Sequence, residues 1–328
     1  MSERADGLPV GPREPLQETP PRRPGSVRRT TTVDQRRGDP GEAQHVVAVG
    51  RDLRTDADGS THVLGIAWVQ ATVELGTITA LEVMPPVPAL AELVGGSISK
   101  GLRQRADRLV PTHRDGATVL HQLLDDLPLA NLISSYGSSR ETPDFRLPPD
   151  RADAMTDLCS GWAAGGTMLR GMAETGIFPI PLGPPAPVPG SPPDPMGWHE
   201  APPMARRSIR RARRLDLWED AGVLQLDVHF RDSHCDADGM EDVLHEYTIT
   251  VSVDPADLVV LSSEAVARVL PWPECPGALA SAGRIVGKPV ADLRPLVANR
   301  FTGTSTCTHL NDSLRSVAGV TALAKALR

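Results

Sequence analysis

Aromatic side chains make up only 3% of the 328 residues, so the cores must be filled by Val, Leu, Ile and Ala. The four cysteines (Cys159, Cys235, Cys275 and Cys307) show neither CxxC spacing nor the density of a disulfide framework. Free thiols in a reducing compartment follow from that. No run of about 18 apolar residues is present to span a bilayer, and the opening MSERADGLPVGPREP lacks the apolar centre of a secretory signal. The expected location is the cytoplasm, with no membrane partner. A basic excess is also missing: the formal charge is −7, which argues against nucleic acid as a partner. The glycines at Gly161, Gly165 and Gly166 do not follow a strand at dinucleotide-fold spacing, which excludes a nucleotide loop.

What is present is a repeat. RDLRTDADG at Arg51 to Gly59 faces RDSHCDADG at Arg231 to Gly239, a constant offset of 180 with six of nine residues identical. The offset continues to Val63, Leu64 and Val73 against Val243, Leu244 and Val253. Upstream, RRTTTVD ending at Asp34 resembles RRARRLD ending at Asp216, and downstream LLDDL at Leu123 resembles LNDSL at Leu310. Order kept over so long a stretch points to internal duplication. The expected organisation is a disordered tail over 1–26, a first repeat over 27–136, a helix and Pro-rich connector over 137–205, and a second repeat over 206–328. The connector has eleven prolines between Phe178 and Pro203, which favour extended backbone and remove ladder donors.

Each repeat has one grammar. A strand runs into Arg-Asp and a DADG turn, where Asp-Gly supplies the positive φ of a tight hairpin. Alternating strands LGIAWVQATVE and LHEYTITVSVD follow, then the short runs ITALEV and LVVLSS. Apolar residues at three- and four-residue spacing predict helices in TVLHQLLDDLPLANLI and CTHLNDSLRSVAGVTALAKAL. The class is α+β: two tandem copies of an antiparallel β-meander plus C-terminal helices, related by a pseudo-twofold axis. DLCSGWAAGGTMLRGMAETG predicts one further helix broken by glycines.

HEYTITVSVD, then ECPGALASAG, then GTSTCTHLNDSLRS resembles a bacterial domain-of-unknown-function family, DUF2889. Its shorter members carry a similar ending with a Cys-Thr-His-Leu helix start, here Cys307 to Leu310. The duplicated form with PRRPGSVRRTTTVD is similar to actinobacterial versions. The resemblance implies domain limits and carries no assigned reaction.

The two copies differ where chemistry would sit. Leu53, Arg54 and Thr55 become Ser233, His234 and Cys235, while Gly65 and Ala67 become His245 and Tyr247. With His229 and Glu246 these gather titratable groups on two neighbouring strands of the second copy. Alternation puts His245 and Tyr247 on one face and Glu246 on the other. A histidine beside a tyrosine is equipment for proton transfer, and a polar, water-facing sheet surface accounts for the same residues equally well. In GTSTCTHLND a helix start would favour a Cys307 thiolate. As helix neighbours two apart, however, Cys307 and His309 would point about 200° away from each other, and a buried inert Cys307 is the commoner case. A zinc set could be drawn only from His234, Cys235, Cys307 and His309, without motif spacing. Asp125, Asp126, Asn311 and Asp312 could hold magnesium, although charged helix-surface groups are the ordinary explanation. RRSIRRARR reads as a solvated edge strand protected by charge, or as a phosphate or acidic-partner strip.

The leading expectation is a cofactor-independent enzyme, a lyase or isomerase of secondary metabolism, acting by acid and base groups of the second repeat on a small hydrophobic or acidic substrate. Its competitors are a magnesium-dependent enzyme acting on an isoprenoid diphosphate, in the manner of a terpene cyclase, and a non-catalytic binding or assembly protein.

Overall fold

The computed structural model describes residues 8–36, 42–142, 144–188 and 194–328. Its frame is one eight-stranded antiparallel sheet in the order β4-β3-β2-β1-β5-β6-β7-β8. The strands are β1 (Ser26–Arg36), β2 (Gln44–Thr55), β3 (Thr61–Glu74), β4 (Thr77–Met84), β5 (Ser208–Asp220), β6 (Val223–Cys235), β7 (Glu241–Val253) and β8 (Val260–Val269). Two meanders therefore fuse through β1 and β5, with Thr31 opposite Arg213.

The expected hairpin turns form alike. Gly59 (φ +87°) and Gly239 (φ +91°) adopt the backbone that glycine tolerates best. The amide of Asp56 donates to Ser60 in one turn, and that of Asp236 donates to Met240 in the other. A bulge at Leu64 in β3, opposite the Asp52–Leu53 step, recurs at Leu244 in β7, opposite the Asp232–Ser233 step.

Helices lie on one face of the sheet. These are α1 (Leu102–Leu109), α2 (Pro111–Asp115), α3 (Val119–Glu141), α4 (Pro149–Met155), α5 (Thr167–Thr175), α6 (Leu293–Arg300), α7 (Thr308–Ser316) and α8 (Val320–Leu327). Aliphatic side chains of β1–β4 close one core with α1 and α3, and β5–β8 close another with residues 275–285 and α6–α8. The helical stretch expected from Cys307 to Leu327 is divided into α7, a short 3-10 turn at Val317–Gly319, and α8. The glycine-broken helix is a 3-10 turn at Ser160–Trp162 followed by α5. None of the described helices is long and apolar enough to cross a membrane.

The arginine strip departs most from expectation. β5 is a central strand, and Arg211, Arg213 and Arg214 are essentially inaccessible. Guanidinium groups can be buried there because carboxylates meet them across the ladder. Arg211 lies directly opposite Asp232, and Arg29 directly opposite Asp52, each with two hydrogen bonds of 2.7–2.9 Å. On the other face Arg28 is bound to Asp216, and Arg210 to Asp34. Such paired, bidentate contacts offset the desolvation that an isolated charge could not bear.

The expected mobile tail also takes a defined path from residue 8 onward. Gly11 and Glu14 donate to the backbone of Pro271 and Arg268, and Arg22 chelates Asp194. Residues 1–7 of that tail lie outside the described residues. The described part of the connector 179–203 contains no helix, and its residues 184–186 run beside the start of β7.

Candidate active site

Pairing between β6 and β7 sets Asp232 opposite His245, Arg231 opposite Glu246 and Phe230 opposite Tyr247. The pleat then sorts the predicted residues onto two faces. Asp232, His245 and Tyr247 look toward the helices. His229, Arg231 and Glu246 look away from them.

Of the helix-facing group, His245 borders a cavity of about 490 Å³. Its walls come from the end of α3, α5, the connector around Phe178–Gly183, the start of β7 and residues 269–275. Trp162, Trp272, Phe178 and Met168 make it mostly apolar, and Cys307, Thr308, His309 and His245 enter it from one side. Arg13 and Arg151 also line it.

The imidazoles of His245 and His309 stack with centroids 3.7 Å apart and planes inclined by 16°. Burial, then the Arg211 charge, holds His245 at a pKa of about 3. Burial, the His245 ring and Arg211 push His309 well below the usual range, so both rings are neutral near pH 7. Asp232, by contrast, is raised to about 6 by burial, against the pull of Arg211. His309 Nε2 lies 3.7 Å from Asp232 Oδ2, and its Nδ1 lies 3.8 Å from Cys307 Sγ. Nε2 of His309 and Nδ1 of His245 are buried without a hydrogen-bond partner.

The argument that Cys307 and His309 must diverge on a helix fails for a local reason. Cys307 is the N-cap of α7, with extended φ −132° and ψ 131°. Its side chain leaves before the helical wheel begins. Tyr247 does not line the cavity: it is fully buried with its hydroxyl beside Cys307, and burial raises its pKa well above 10.

The other candidates lie elsewhere. His229 Nε2 is 3.3 Å from Glu246 Oε1, which also accepts the Leu16 amide at 2.6 Å. Arg231 binds the second Glu246 oxygen and the carbonyls of Leu16 and Pro187. Burial would raise the Glu246 carboxyl, but His229 and Arg231 outweigh it and hold it below the ordinary range. This cluster fastens the N-terminal segment and the connector to the sheet. His234 lies opposite Asp242 and against Gly137 of α3, where any Cβ would come within 3.1 Å of its ring.

The proposed zinc set is thereby separated, since His234 and Cys235 do not reach the Cys307–His309 group. Among the described residues, Asp232, His245 and His309 do bring three ligand atoms within 4.8 Å of one another. Both Asp232 oxygens already accept from Arg211, and stacked rings aim their lone pairs in parallel rather than at one point, which suits a cation poorly. The magnesium candidates are likewise occupied. Asp312 accepts from Arg103, Arg211 and Arg213, Asp126 from Arg213, and Asp125 from Arg315, while Asn311 donates to Phe301. Asp232 was the residue that sequence comparison missed. Both copies carry it, as Asp52 and Asp232, so the contrast between copies could not mark it.

No curated protein and no solved structure matches the chain. Residues 209–323, from β5 into α8 and including Asp232, His245, Cys307 and His309, match the model of the family described as "Protein of unknown function (DUF2889)".

Proposed function

We propose that the chain is an enzyme of the lyase or isomerase type that moves a proton on a small, mostly apolar molecule held in the cavity. The observation that carries this reading is the stacked, neutral His245–His309 pair, backed by Asp232 and set into an apolar chamber. Neutral imidazole can take a proton, and a sheltered cavity keeps water from competing for it. Arg13 and Arg151 suit a substrate that also bears an acidic group. Nothing in this arrangement calls for a cofactor. The carboxylates of the diphosphate alternative are already neutralised by buried arginines, which disfavours magnesium there.

A ligand retained by the purified full chain and identified by native mass spectrometry is expected to perturb the fluorescence of Trp162 and Trp272. Turned over in D2O, it is expected to gain deuterium at carbon. A compound that binds without moving the tryptophan signal, or that reacts without deuterium uptake, overturns the proposal.

We also infer that the halves arose by duplication about an approximate twofold axis through the Thr31–Arg213 pair. Support comes from reciprocal ion pairs, Arg28 with Asp216 and Arg210 with Asp34, the self-complementary pattern that a twofold interface requires. The bulges and turns recur at the offset of 180. On this reading, residues 206–328 alone carry both partners of such a pair, and two copies would oppose Arg213 to itself. With Arg213→Thr relieving that repulsion, the fragment is expected to sediment as a dimer. A folded monomer would count against the axis.

A further inference from the structure

We infer that Cys307 is a nucleophile that adds reversibly to a conjugated, α,β-unsaturated carbonyl compound in the cavity, with His309 as the base and Asp232 positioning it. This rests on the reading of the cavity as the active site, and it names the substrate class.

Three of the four cysteines border the cavity: Cys159, Cys275 and Cys307. Cys307 is the one with an imidazole at its sulfur, 3.8 Å from His309 Nδ1, and the opposite ring nitrogen faces Asp232 at 3.7 Å. Nucleophile, base and carboxylate thus stand in the order that lets a forming imidazolium be stabilised from behind. As N-cap of an α-helix, Cys307 also receives the positive end of the helix dipole, which favours the thiolate.

A second, independent observation is Tyr247. Its side chain is 0% exposed, its hydroxyl has no hydrogen-bond partner by geometry, and it lies beside the thiol. A hydroxyl left unpaired in the interior is destabilising, and a thiolate or thioether sulfur formed at this spot would accept a hydrogen bond from it. Burial raises the Cys307 thiol, with the Tyr247 hydroxyl and the first amides of α7 acting against it, so the resting pair is uncharged thiol and imidazole. Charge then appears only when substrate is attacked.

The step balances without an added reagent. The thiol proton moves from Sγ to His309 Nδ1 as the sulfur pair forms a C–S bond to the β-carbon. The π electrons of the substrate shift to an enolate, which takes a proton at its α-carbon from the His309 imidazolium and leaves a single bond that can rotate. Return of an α-proton to His309 re-forms the double bond and sends the C–S pair back to sulfur, which recovers its proton from His309. The net change is a cis–trans isomerisation.

The test labels the full chain with N-ethylmaleimide, a small conjugate acceptor, and follows each cysteine by peptide mass spectrometry. Cys307 is expected to react about tenfold or more faster than half-buried Cys159, and His309→Asn is expected to slow Cys307 about tenfold or more while leaving Cys159 unchanged. Faster labelling of Cys159, or an unchanged Cys307 rate in His309→Asn with an unaltered melting temperature, overturns the inference. With the natural ligand, turnover that survives Cys307→Ser but not His245→Ala removes the covalent step and leaves the proton-transfer reading standing. Turnover that survives both removes the two together.

Discussion

Arg213→Met is expected to lower the unfolding free energy by about 3–5 kcal/mol, the usual cost of leaving a buried charge without its partner. Arg213 is fully buried, and its guanidinium binds Asp126 at 3.0 Å, Asp312 at 2.8 Å and Ser316 at 3.1 Å. Asp312 keeps Arg103 and Arg211 when Arg213 is lost. Asp126 keeps only the Gln122 amide on Oδ1, and its Oδ2 has no partner. The damage should therefore concentrate on one carboxylate. Adding Asp126→Asn is expected to recover most of the loss, since removing both charges is close to neutral where removing one is not.

The pH dependence carries a definite sign. Burial, then the charges of Asp312 and Asp125, raises the Asp126 carboxyl, and Arg213 opposes the rise. Without Arg213 the folded-state pKa moves further up, so the folded chain takes the proton more readily than the unfolded one. The stability so gained is fully present below the unfolded value of about 3.9 and is lost as pH rises through the folded value. Urea unfolding should consequently show a smaller Arg213→Met deficit at pH 5 than at pH 7. A deficit under about 1 kcal/mol, or one that Asp126→Asn does not relieve, would mean that the lattice is more plastic than its geometry implies.

Local signals were legible, and pairings between distant segments were not. The DADG turns, the strands on either side of them and the helical class of the last third of each half follow from backbone preference and periodicity, which act over a few residues. The junction of β1 with β5 joins segments some 180 residues apart, and no local pattern announces it. RRSIRRARR was misjudged for that reason, since six arginines look like a solvated edge until the carboxylates on neighbouring strands are seen. A compositional signal was nonetheless there: the chain has 31 arginines and 3 lysines. Arginine's planar fork suits bidentate burial, whereas lysine's compact ammonium prefers water. Contrast between the halves found His245 and, through the helix start, Cys307 and His309. It also brought in Glu246, which alternation had already placed on the opposite face, and His229, whose face only the β6–β7 register reveals, and it passed over Asp232 because Asp52 matches it.

His245→Ala is expected to reduce turnover of the cavity ligand by about 10²–10⁴-fold, the range for losing a positioned acid or base. Loss of folding should be small. His245 Nδ1 has no hydrogen-bond partner, and the ring borders a space that is already open, so truncation neither orphans a donor nor opens a sealed core void. What is removed is the ring stacked on His309 and one of the two neutral imidazoles facing the substrate. Gly65 occupies the corresponding place in the first half, and a Cβ there meets nothing within 4 Å. Gly65→Ala should accordingly change stability by less than about 0.5 kcal/mol and leave turnover intact, which makes it the matched control. The two variants share a sheet position and differ only in the cavity beside it. If His245→Ala retains full turnover at an unchanged melting temperature, proton transfer does not pass through this pair; if it unfolds the chain instead, the stacked rings are a structural element of the second core.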